Sequence, residues 1–242
     1  MNALIYSGEH SVNYGKYNTW EDWHLIPSSR PFFAPPSVKT KDIDIPGMDG
    51  TLDLTEVVAG RPIFGNRSGS HEFIVADGYD GWDWVEAYST IMDILHGQGN
   101  YAILSDDPNY FYEGRFSVNQ WRSDKDYSRI TINYNVKPFK RELLSSMDDW
   151  LWDPFNFETG IIRNWKNIQV NGSKTIRLVG GRMPVSPTIV CSSEMTMEYD
   201  GATYLLNQGS NNIPGFKLTD DETDIVVTGN GTISIEYRGG RL

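Results

Sequence analysis

The sequence predicts a mainly β protein in two parts: an N-terminal β-sandwich-like sheet with one packed helix, then a C-terminal antiparallel β-sandwich. Three observations carry that expectation. Short β-rich runs alternate apolar and polar residues along the first 140 positions. Asp80 to Leu95 alone repeats apolar residues at three- and four-residue steps. Beyond Gly160, pairs of turn residues recur between short β-rich runs with no helical period.

The elements follow in chain order. The first forty residues mix aromatic and polar residues with turn formers and reach a proline-rich stretch, Arg30-Pro-Phe-Phe-Ala-Pro-Pro36. Proline fixes φ and restricts the residue before it, so this stretch reads as extended and irregular. Val38 to Ile45 alternates as a half-buried strand would. It stops at Pro46-Gly-Met-Asp-Gly50, a loop with two glycines for positive φ. Leu52-Asp-Leu-Thr repeats the alternation, and Ser70 to Val75 reads as a further strand. The helix spans 80–96. Its stripe is Trp82, Val85, Tyr88, Ile91, Met92 and Leu95, with Asp80 and Asp83 at the positive end, His96 in the last turn and Gly97 as the stop. Strands resume at Tyr101–Leu104, at Tyr110–Val118 and most clearly at Asp126–Val136, where the slip between Tyr127 and Ile130 suits a strand entry or a bulge.

Residues 1–140 form the first expected domain, 141–165 an aromatic connector and 166–242 the second domain. Met147 to Phe157 is rich in aromatics and acids without either period. Its Trp150, Trp152, Phe155 and Phe157 carry more apolar surface than a flexible linker would, so they are expected to pack into an interface. Asn171-Gly172, Asp200-Gly201 and Asn230-Gly231 favour type I′ turns. The second would pair Met195–Tyr199 with Ala202–Leu206, and the third Asp224–Thr228 with Thr232–Tyr237.

Composition narrows the function. The 242 residues carry a formal charge of −11 and a single cysteine. The acidity argues against stable nucleic-acid binding, which needs a basic stripe, yet it suits a wall that DNA slides past. Cys191 can form no intrachain disulfide and reads as a small buried hydrophobe. The start lacks a basic region and no run reaches a membrane span, so neither secretion nor membrane insertion is expected. The sequons at Asn66, Asn171 and Asn230 accordingly read as turn chemistry.

No enzyme, metal or cofactor is expected. His10, His24, His71 and His96 never fall at i, i+4 and lack cysteine partners. Gly97-Gln-Gly99 follows a helix, where a dinucleotide loop must follow a strand. Asp106-Asp107, Asp148-Asp149 and Asp220-Asp221 read as turns, since neighbours in sequence do not supply the spacing of a glycosidase pair. Sugar binding is the alternative, but the last tryptophan is Trp165, and Tyr199, Tyr204 and Tyr237 lie inside expected strands, where packing is the simpler role.

Several motifs in order resemble the distal tail proteins (Dit) of long-tailed bacteriophages. They are Ile45-Pro-Gly-Met-Asp-Gly-Thr-Leu-Asp-Leu-Thr-Glu56, Phe64-Gly-Asn-Arg67, the helix ending at His96-Gly97, Ser105 to Arg115, Gly209 to Ile213, and Ile235 to Leu242. The resemblance implies an N-terminal domain that forms a homo-hexameric ring, single or back to back, below the tail tube protein. It implies a galectin-like C-terminal domain that holds the adhesion device. The implied partners are the tail tube protein, a tail-tip hub protein and receptor-binding proteins, at a virion tail tip assembled in the bacterial cytoplasm. Pro46, Gly47, Asp49, Gly50, Asn66 and Arg67 are the motif residues for an interface. Met48 stands where many relatives carry a basic residue. A glycan-binding module or adhesin is the alternative function. In a ring, Arg67, Arg115 and Lys137 would be the basic residues nearest to contradicting an acidic lumen.

Overall fold

The structure, a computed structural model, describes residues 8–75, 84–123, 128–149, 163–219 and 222–242. The protein is mainly β, with antiparallel sheets curled into two β-sandwich-like units. These units are Met1–Lys140 and Arg141–Leu242.

Unit 1 contains β1 (Val12–Tyr14), β2 (Tyr17–Asn18), β3 (Leu25–Pro27), β4 (Asp42–Asp44), β5 (Thr51–Asp53), β6 (Arg67–Val75), α1 (Trp84–Leu95), β7 (Gly99–Leu104), β8 (Tyr110–Ser123) and β9 (Ser128–Val136). Seven strands run in the order β2-β1-β7-β8-β9-β6-β3. The alternation that marked β9 is its burial pattern. Ser128, Ile130, Ile132, Tyr134 and Val136 point inward, and the residues between them are at least partly open. Inward side chains meet Tyr14, Leu25, Phe73 and Phe116, all fully buried. Each such burial stabilises the unit by roughly 1.5–3 kcal/mol.

α1 packs on β8 through most of the expected stripe. Ala87, Ile91 and Leu95 are buried, Trp84, Tyr88 and Met92 flank them, and Val85 points outward. Tyr88, Ile91, Met92 and Leu95 of the expected stripe lie in it, and Trp84 and Ala87 extend it in place of Val85. Gly97 ends the helix at φ +72° as expected. Asp80, Trp82 and Asp83 lie outside the described residues. The irregularity in the β8–β9 ladder lies on β8, where Val118 and Gln120 pair with consecutive residues Ile132 and Thr131. Asn119 is therefore the extra residue.

One strand reading fails. Val38–Ile45 is not half-buried: only Asp42–Asp44 forms a strand, and Val38, Ile43 and Ile45 are all exposed. The alternation is real, but no second layer covers it.

Unit 2 takes in β10 (Lys140–Glu142, from Arg141 on), β11 (Ile168–Val179), β12 (Thr188–Cys191), β13 (Met195–Tyr199), β14 (Ala202–Leu206), β15 (Gly209–Asn212), β16 (Glu222–Glu236) and β17 (Gly240–Arg241). Asp200-Gly201 is the expected two-residue turn, with φ +49° and +72° between the paired Tyr199 and Ala202. The other two pairs are not turns. Asn171 and Asn230 face each other in the middle of the long β11–β16 ladder, which runs from Ile168↔Ile233 to Val179↔Glu222. Asp224–Thr228 and Thr232–Glu236 are thus one strand, not two.

The reason lies on the other flank of β16. Val226–Gly229 pairs with β13, whereas Ile233–Glu236 pairs with β12. Gly229 and Gly231, at φ +151° and +143°, supply the bend between those halves. A Cβ at Gly229 would lie 2.7 Å from Met195 Cγ, and one at Gly231 2.5 Å from Ser192 Oγ. Glycines at a corner let one strand serve two neighbours.

The described flanks of the aromatic stretch belong to unit 2. Ser146 Oγ donates to Ile235 O at 2.7 Å and accepts from Tyr237 N at 2.8 Å, while Trp165 N donates to Ser146 O at 3.1 Å. Trp150, Trp152, Phe155 and Phe157 lie outside the described residues. Cys191 is buried in this second core, and burial raises its thiol pKa.

Candidate assembly surface

The proline-rich stretch is a strap laid over unit 1. Because its prolines and extended backbone join no ladder, side chains from the sheet satisfy it. Arg67 opens β6 and is buried. Its Nε donates to Pro138 O at 2.7 Å and its Nη1 to Ala34 O at 3.1 Å, with the guanidinium over the Tyr112 ring. Burial lowers its pKa from the usual arginine value, and the nearby Tyr112 and Tyr134 work against that shift.

His71, two turns of alternation along β6, completes the clamp. Tyr14 OH lies 2.8 Å from its Nδ1, and its Nε2 is 3.1 Å from Phe32 O. A carbonyl can only accept, so Nε2 carries the proton and Tyr14 donates to Nδ1. Burial pushes the imidazole pKa down to about 4, against the raising effect of the bond to Phe32 O. Tyr134 OH accepts from Ala34 N at 2.9 Å. Between these polar ties Phe33 is buried, stacked on Tyr112 at 4.0 Å and edge-on to His71 and Tyr134.

From the end of the strap an arm leaves the unit. Its base is closed by the Val38–Phe64 bridge and by Gly65 N donating to Ser37 O at 2.8 Å. β4 and β5 pair along it, with Ile43 opposite Leu52. Pro46 and Gly47 form the middle of a turn closed by Met48 N to Ile45 O at 3.1 Å. Gly47 at φ +88° and proline before it make this a type II turn. Gly50 also has positive φ, and Pro46 to Gly50, Asp49 included, are exposed at the tip.

The arm has no core. No residue from Ser37 to Ile63 is buried. Yet Val38, Ile43, Ile45, Met48, Leu52, Val57, Val58 and Ile63 are all exposed, Val57 at 71% and Val58 at 94%. A lone two-stranded ribbon is marginal in water, and exposed apolar side chains are concentrated along this one.

The sequence-marked residues thus separate. Pro46, Gly47, Asp49 and Gly50 sit on the arm. Asn66 lies at its base, donating from Nδ2 to Asn135 Oδ1 at 2.8 Å. Arg67 is buried as the strap's anchor. Arg115 donates to Gly97 O and Lys137 pairs with Glu113, so each is locally engaged. Val57, Val58, His71 and Tyr134 were missed. The signal for the valines was apolar residues in a stretch without period, and His71 offered only its place in a strand.

The remaining polar candidates are local ties. Asp106 accepts from Arg30 Nε and pairs with His10 Nδ1, and Asp107 pairs with Lys140. Burial works to raise the Asp106 carboxyl, but the bonds from Arg30 and His10 outweigh it and hold it below the usual range. Among the described residues no group of three or more His, Cys, Asp or Glu side chains is placed to hold a metal. No described helix is long and apolar enough to cross a membrane. Tyr199, Tyr204 and Tyr237 pack in or against the second core.

No protein-family model matches the chain, and no curated protein matches it. Among solved structures it resembles the Dit protein of phage SPP1, described as a paradigm of the hub adsorption apparatus in phages that infect Gram-positive bacteria. The two share 16% identity at a TM-score of 0.60, over 96% of this chain and 99% of the other. At that identity the likeness establishes a shared fold along the whole chain: the protein has a Dit-like fold.

Proposed function

We propose that the protein is a non-enzymatic structural subunit of a phage tail tip, and that its 37–65 arm docks on the next copy to build a ring. The observation that carries this is the coreless arm with its eight exposed apolar side chains. The Dit-like fold supports the tail-tip setting, and the motif resemblance supports six copies around a DNA channel. In this reading the ring joins the tail tube to the adhesion device, and unit 2, galectin-like, holds that device. No specific observation among the described residues favours the glycan-binding alternative.

The strap explains how an arm without a core is aimed. Arg67, His71 and Tyr134 fix the chain up to Ala34, so the arm leaves unit 1 from an anchored root and needs less ordering on docking.

The test is the double variant V57D/V58D, compared with the natural protein by sedimentation and electron microscopy. Each valine buried at a contact contributes roughly 1.5 kcal/mol, and a buried unpaired carboxylate opposes it. Assembly should weaken far more than tenfold, with the circular dichroism spectrum unchanged. A natural protein that is monomeric at every concentration, or a variant that assembles equally well, refutes the proposal.

A further inference from the structure

Unit 2 carries a half-open cavity of about 400 Å³ beside β17. Glu142, Arg163, Gly181, Arg182, Arg241 and Leu242 are among the residues that line it. Among the described lining residues three are arginines and one is a glutamate, in a chain of net charge −11.

The one glutamate among the described lining residues is already committed. Glu142 Oε2 accepts from Arg163 Nη1 and from Gly239 N, the latter at 3.1 Å. Arg163 is held in turn: its side chain is only 7% exposed and its guanidinium lies over the Tyr237 ring. That leaves Arg182 on an open bend at the rim, with no hydrogen bond or ion pair of its own among the described residues. Gly181 keeps the space clear. A Cβ there would meet Gly240 O at 3.5 Å and Gly240 N at 3.9 Å, both ordinary contacts, and its φ is not positive, so steric fit does not require glycine.

We propose that this cavity is a binding site for a small oxyanion, a carboxylate or phosphate group, gripped by Arg182 against the fixed Glu142–Arg163 floor. A guanidinium fork matches the paired oxygens of either group, and a partly enclosed site strengthens the contact relative to water. The volume lies in the range of small-ligand pockets. The site lies wholly within unit 2 and does not depend on the arm or on the ring.

The test is calorimetric titration of the full chain with inorganic phosphate and, separately, with citrate, at ionic strength held constant with sodium chloride. At least one anion should bind saturably at one site per chain, and the stronger of the two identifies the group preferred. Arg182→Gln should weaken it at least tenfold. Gly181→Leu, which fills the cavity and leaves every charge in place, should abolish it, with circular dichroism checking the fold. Absence of saturable binding of either anion up to the millimolar range, or natural affinity in either variant, overturns the proposal.

Discussion

Acidification should loosen unit 1 through His71. The imidazole is neutral in the fold because burial lowers its pKa from 6.5 to about 4. Unfolding restores the ordinary value, so between pH 6.5 and 4 the unfolded state holds one proton more than the folded state. Stability is therefore undiminished above pH 6.5, falls as the pH drops through that window, and levels below about 4. Each pKa unit is worth about 1.4 kcal/mol, so the full loss is about 3 kcal/mol. The geometry explains the cost. The ring is almost wholly removed from water, so a charge on it goes unsolvated; a proton on Nδ1 would also force the Tyr14 hydroxyl to turn its hydrogen away and accept instead of donate. Carboxylates cannot supply the same slope. Asp53, Asp106, Asp148 and Asp224 have folded values below 3.8, so what they contribute is present above that and lost only below it. Hydrogen exchange of β6 and β9 amides, followed by mass spectrometry from pH 7.5 to 4.5 after correction for intrinsic exchange rates, reads unit 1 alone. The natural protein should lose protection by about tenfold per pH unit at the steepest part. His71→Gln, which offers a donor and an acceptor but does not titrate, should start less protected and show no such slope. Equal slopes in the two proteins would refute the reasoning.

Arg67→Met should destabilise unit 1 by about 3 kcal/mol, because it strips charged donors from Pro138 O and Ala34 O under the strap; urea unfolding measures it. Gly229→Ala should cost unit 2 about 2 kcal/mol or more, since the new Cβ would press on Met195, whereas Gly201→Ala in the open turn should cost about 1 kcal/mol; thermal unfolding separates them. The proposed ring of six copies at −11 would carry −66 formal charges, so light scattering should show assembly growing as salt rises, and gel shifts should show no duplex DNA bound. Cys191 should resist thiol reagents until unit 2 unfolds, as burial both hides it and raises its pKa.

Local pattern determined what local physics controls. The alternation of β9 is its burial pattern because side chains in a strand must point to opposite faces. The turn at Asp200-Gly201 forms because those two residues accept positive φ and β-rich runs flank them. The helix stop at Gly97 has the same origin. Tertiary structure decided what each pattern faces. Asn171-Gly172 and Asn230-Gly231 carry turn chemistry as good as that of Asp200-Gly201. They became opposite bends in one ladder because β16 must change neighbours from β13 to β12. Val38–Ile45 alternates as a buried strand does, yet its apolar side chains meet no second layer among the described residues and remain exposed on the arm. Arg67 reads as a surface motif residue, and only the folded strap shows its guanidinium turned inward to carbonyls that no ladder satisfies. Periodicity specifies which side chains share a face; the partner for that face comes from residues distant in sequence, and the alternation does not encode it.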